Sequence, residues 1–144
     1  MFAEPAEPVL DRAPGNVRAV TAAHAGHGTT RLRRVAGFRD SPFYILDWEF
    51  PPGTSEGAHD HRGDQIGVEH YHVIHGELVI VVDGARHELR DGDAIAIRPQ
   101  HMREVRNDSR QPARLLLVVE RLTGRFHRAT RGLDADGFPA TLPV

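Results

Sequence analysis

Five of the ten histidines in this chain fall between positions 59 and 75, and two of them form the pair His59-Asp60-His61. In an extended strand, residues i and i+2 face one side about 6.6–6.8 Å apart. Both imidazoles can then lean towards one ion, whose nitrogen ligands sit about 2.0–2.1 Å away. Taken alone, the pair reads equally as two exposed loop histidines. Seven residues separate His61 from Glu69, and Gln65 lies among them as an alternative donor. Two or three imidazoles with one carboxylate leave open positions on an octahedral ion. Such a site suits non-haem iron oxygen chemistry, or Zn, Ni or Mn acting as a Lewis acid. The expected cofactor is one divalent transition metal (Fe, Zn, Ni or Mn), and imidazole chemistry does not choose among them.

Composition removes several alternatives. The chain has no cysteine, so there is no disulfide framework, no thiolate nucleophile and no cysteine-ligated metal. All eighteen basic residues are arginine, which excludes lysine Schiff-base chemistry. Eighteen basic against twenty acidic side chains give no cationic footprint for nucleic acid or anionic lipid. No apolar run approaches the roughly 20 residues of a membrane span. The expected partner is a small-molecule substrate, with no nucleic acid and no membrane. The opening residues, Met1 to Pro8, carry neither the positive nor the apolar region of a secretory signal, so the expected location is cytoplasmic.

At 144 residues the chain has room for one domain. Pro5, Pro8 and Pro14 interrupt any helix near the start, and Ala25-Gly26-His27-Gly28 reads as a loop. Residues 1–28 are therefore expected to form an N-terminal arm, with His24 and His27 as solvated loop histidines. Short strands are expected from Thr29 onwards, among them Phe43–Phe50, stopped by Pro51-Pro52-Gly53, and a pair hinged on Asp83-Gly84. Ala94–Ile97 and Arg103–Arg106 form another pair, and the apolar run Ala113–Leu122 suits a strand buried on both sides. Strict alternation places Glu69, Tyr71 and Val73 on one face and His70 and His72 on the other. After Leu122 the glycines and prolines read as an irregular tail, 123–144. The fold class is all-β, a sandwich or closed barrel occupying 29–122.

The spacing carries a further signal. Gly53 is followed by five residues, His59-x-His61, seven residues, Glu69, six residues and Gly76; fifteen residues separate Gly76 from Gly92-Asp93, and fourteen separate Gly92 from Asn107. Between 43 and 120 the sequence resembles the cupin superfamily, whose two motifs place these residue types at similar positions. The resemblance implies a double-stranded β-helix, or jelly-roll barrel, of the small single-domain cupin 2 type. It also implies a metal site on His59, His61 and Glu69, and a homodimer. Two features depart from the pattern. The loop between His61 and Glu69 is longer than usual, which leaves Gln65 as a competing ligand. Arg103 stands where the second motif supplies its metal-binding histidine, and His101, two residues earlier, is the substitute donor.

Arg103 constrains the chemistry. An unpaired guanidinium inside a barrel is strongly unfavourable, so an inward Arg103 needs a carboxylate. That carboxylate is either Glu69, which would take it off the metal, or a carboxylated substrate, which would make Arg103 its anchor; an outward Arg103 would be solvated beside Glu104. Tyr71 reads either as a residue that orients or protonates substrate, or as a packed aromatic with its hydroxyl satisfied. The resemblance implies dioxygenase, isomerase, lyase or cyclase chemistry on a small organic molecule. Two alternatives remain open: a non-catalytic ligand-binding or sensing protein in which Arg103 has replaced the last ligand, and a metal-independent isomerase or epimerase with a histidine base.

Overall fold

The computed structural model describes residues 7–122, and the expected tail, 123–144, lies outside the described residues. The described residues form ten strands: β1 (Val17–Thr21), β2 (Thr29–Val35), β3 (Phe43–Phe50), β4 (Ser55–His59), β5 (Ile66–His75), β6 (Leu78–Val82), β7 (Ala85–Leu89), β8 (Ala94–Ile97), β9 (Arg103–Arg106) and β10 (Ala113–Arg121). Among the described residues there is no α-helix, and no helix is long and apolar enough to cross a membrane. One short 3-10 turn, Ala23–Ala25, joins β1 to the β2 side of the molecule. The strands form two antiparallel sheets. One has the order β1-β2-β3-β10-β5-β8, the other β4-β9-β6-β7.

Local chemistry explains most boundaries. Asp83 and Gly84 both take positive φ, the twist that a two-residue hairpin needs between β6 and β7. Pro51-Pro52-Gly53 ends β3, as proline cannot donate to the ladder. Alternation sets the core. Tyr44, Leu46, Trp48 and Phe50 of β3 turn inward beside Ala113, Leu115, Leu117 and Val119 of β10. Tyr71 and Val73 of β5 join them, while His70 and His72 face outward. The β10 run is buried on one side only: Leu116 and Val118 are half-buried on the outer face. Unbroken hydrophobicity had concealed a one-sided strand.

Asn107 ties the two sheets together just after β9. Its Nδ2 donates to the carbonyls of Phe50 (2.7 Å) and Gln111 (2.8 Å), and its Oδ1 accepts from the amide of Ser109 at 2.9 Å. The bond to Phe50 fixes the end of β9 against β3, and those to Gln111 and Ser109 shape the loop that follows.

The stretch expected as an arm is in part sheet. β1 pairs with β2 along its whole length, Val17 opposite Arg33 and Thr21 opposite Thr29. The prolines end at Pro14, and the following VRAVT segment has the branched residues that a strand accepts.

Candidate functional site

One end of the fold gathers histidines and acids from four segments: the 3-10 turn, β4 with the loop that follows it, β5 and β9. β4 supplies Glu56 and His59. Simple alternation back from His59 would send Glu56 outward, but the β4–β9 register slips between these two residues. The bulge adds a residue and reverses the parity, so both side chains face in. The register also sets His59 opposite Arg103.

Arg103 is fully buried. Its Nη1 donates to Glu69 Oε1 at 2.5 Å, its Nη2 to the Arg98 carbonyl at 2.6 Å and its Nε to the His101 carbonyl at 3.0 Å. Of the readings that the sequence left open, the structure shows the one in which Glu69 is the partner. Solvation is excluded by burial, and three of the five guanidinium N–H donors are engaged by Glu69, Arg98 and His101. The same Glu69 oxygen accepts the Tyr71 hydroxyl at 2.9 Å, so Tyr71 is a packed aromatic with its hydroxyl bonded. His61 completes the group, with Nε2 3.3 Å from Glu69 Oε1 and Nδ1 2.9 Å from Asp64 Oδ2.

The charges in this network hold one another. Burial acts to raise the Glu69 pKa, but the hydrogen bond and charge of His61, with Arg103 and Tyr71, bring it down to about 2. Burial acts to lower that of His61, but Glu69 and Asp64 raise it to about 9. Burial pushes the Tyr71 hydroxyl well above its ordinary value, and the Glu69 charge adds to it.

A second group stands beside the first. His24 stacks on His59 with ring centroids 3.8 Å apart, and His59 meets His61 edge-on at 4.9 Å. Glu56 is buried, with its Oε2 3.6 Å from His24 Nε2 and 3.8 Å from His59 Nε2; its Oε1 has no hydrogen-bond partner. Burial pushes the Glu56 carboxyl up to about 7 and His59 down to about 4, and lowers His24. One donor atom from each of these three residues lies within 4.8 Å of the others, so the group could hold a metal ion.

The expected donors are thus only partly brought together. His59, His61 and Glu69 come close, but Glu69 is committed to Arg103. His101 is not with them: it lies in the turn before β9, half-exposed, with Nδ1 2.5 Å from Asp83 Oδ2. Alternation cannot carry His101 to the Arg103 face, because the strand begins only at Arg103. Gln65 is exposed in the loop before β5. His24 and Glu56 were missed from the sequence. A bulged parity and a loop excursion leave little trace in residue spacing, although an acid three residues before His59 was the one available cue.

The sequence model of the Cupin domain family matches residues 46–119. This chain belongs to the cupin family. A Mycobacterium tuberculosis protein named beta-D-galactosidase is 33% identical to this cupin over 111 residues, 76% of this chain and 91% of that protein. Among solved structures, a predicted oxalate decarboxylase from Thermotoga maritima superposes with a TM-score of 0.71 at 19% identity, covering 80% of this cupin and all of that chain. A cupin 2 conserved barrel protein from Salinispora arenicola gives 0.62 at 22% identity, covering 81% and 90%. At these identities the two structures establish the fold and leave the chemistry to the site.

Proposed function

We propose that this cupin is a metal-dependent enzyme acting on a small polyhydroxylated organic molecule, a sugar glycoside in the first instance. The observation that carries the metal is the buried Glu56, which faces two imidazole nitrogens with one oxygen left without a partner. A buried carboxylate in that state is costly unless a cation or a donor meets it. The sugar class is supported by the Mycobacterium tuberculosis relative, whose name is that of a beta-D-galactosidase and which aligns over nearly its whole length. When bound, a divalent ion supplies Lewis acidity towards a substrate oxygen. The neighbouring Asp64–His61–Glu69–Arg103 chain forms a fixed, charge-compensated wall that orients what enters. The test pairs elemental analysis, after expression with Zn, Mn, Fe and Ni supplements, with hydrolysis of p-nitrophenyl β-D-galactoside before and after chelation. About one equivalent of metal and chelator-sensitive turnover are expected. Less than a tenth of an equivalent sinks the metal-dependent reading.

A second reading has its own observation. The buried Arg103–Glu69 pair occupies the position where the motifs lead one to expect ligands, which suits a non-catalytic sugar-binding cupin. Unchanged recovery of a bound galactoside, with no turnover at any metal loading, would select it.

A further inference from the structure

Taking the metal-dependent reading as ground, we infer that the ion sits on His24, Glu56 and His59, displaced from the ligand set spelled by the sequence motifs. Only His59 is common to both. The motif position is closed by chemistry already satisfied: Glu69 Oε1 receives Arg103, Tyr71 and His61, and both ring nitrogens of His61 face carboxylates. A cation on Glu69 Oε1 would have to compete with a buried guanidinium for that oxygen. The neighbouring triad has the opposite character. His59 Nδ1 donates to the Gly57 carbonyl at 2.8 Å, which fixes the tautomer and turns the Nε2 lone pair towards Glu56. Ligands at right or tetrahedral angles on an ion about 2.0–2.2 Å away lie roughly 3.0–3.5 Å apart. The nitrogen-to-carboxylate separations of 3.6 and 3.8 Å need only a slight contraction. Glu56 Oε1, buried and without a partner, is the second sign of a built site.

The backbone that delivers His24 is specialised for the task. Ala22, His24 and Ala25 all take positive φ, which side-chain-bearing residues adopt only when their surroundings impose it. The loop is pinned to β4 by Ser55 N to His27 O (2.9 Å) and His27 N to Ser55 Oγ (2.8 Å). Gly57 makes room for it: a Cβ there would fall 2.1 Å from the His24 carbonyl oxygen. Two imidazoles and one carboxylate of this kind suit a first-row divalent transition ion.

The experiment titrates Zn2+ by calorimetry, and Co2+ by its visible absorption, into the chelated full chain and four variants: His24→Ala, Glu56→Gln, His61→Asn and the double variant Glu69→Leu/Arg103→Met. The double variant removes the motif acid without leaving a buried charge unpaired, and His61→Asn probes the same side if it fails to fold. Circular dichroism confirms that each variant tested is folded. At least tenfold weaker zinc binding in His24→Ala and Glu56→Gln, with affinity within threefold of wild type on the His61 and Glu69 side, supports the displaced site. The reverse pattern overturns it while leaving a metal-dependent enzyme. A wild-type chain that binds neither ion overturns both.

Discussion

Replacing Arg103 by methionine isolates what the buried ion pair contributes. The substitution keeps the volume and removes the donors to Glu69, Arg98 and His101. Glu69 stays buried and ionised with only His61 and Tyr71 for company. Breaking a buried pair from one side typically costs about 3–5 kcal/mol, a large part of the roughly 5–15 kcal/mol that holds a domain together. For a chain of this size the melting temperature should fall by about 10–20 °C. Adding Glu69→Leu should restore most of that loss, because an ion pair and an apolar pair of similar volume differ little in net stability. Thermal and urea unfolding at pH 7, followed by circular dichroism, measure both variants. A single variant destabilised by less than about 1 kcal/mol, or a double variant as unstable as the single, would refute the view that the pair is mutually compensating.

Acid should act through the same network. The pKa of Glu69 is lowered to about 2 in the folded chain, below the ordinary 4.5. Its contribution, of the order of 3 kcal/mol, is therefore present above pH 4.5 and lost as pH falls through 2. Urea midpoints at pH 5 and pH 3 should differ in that direction more in wild type than in the Glu69→Leu/Arg103→Met variant; equal slopes would contradict it. Glu56→Gln removes a buried charge whose Oε1 has no partner, so the metal-free variant should be more stable by about 1–3 kcal/mol at pH 8; a less stable variant would mean that the carboxylate has a partner when metal-free. Gly57→Ala forces the His24 loop away, and zinc affinity should drop about tenfold, as for a lost supporting contact, while the far-ultraviolet spectrum stays that of the wild type. Asn107→Ala removes the buried Nδ2 donor to the Phe50 and Gln111 carbonyls and should cost about 1–3 kcal/mol by urea unfolding.

Much of this architecture was legible before any coordinates, because strand signals are local. Pro51-Pro52, Asp83-Gly84 and the alternation through Glu69, Tyr71 and Val73 each act within a few residues. That an inward Arg103 must meet a carboxylate, with Glu69 as one candidate, followed from the energetics of burying a guanidinium; its direction did not. The rest depended on events that residue spacing does not encode. One inserted residue in β4 turned Glu56 from outward to inward. Left-handed backbone at Ala22, His24 and Ala25 swung an apparently solvated histidine against His59. The late start of β9 left His101 in a turn with Asp83. In each case backbone geometry, more than residue type, decided where the side chain lay.

Among the described residues β1 is hydrogen-bonded on one flank only, as the outermost member of its sheet. Edge ribbons fray with free energies far below that of whole-domain unfolding. His24 hangs from the end of this ribbon, whereas Glu56 and His59 belong to β4 in the other sheet. An ion held on the three proposed ligands would therefore exchange with bulk solution through breathing of this five-residue margin, without global opening of the jelly roll.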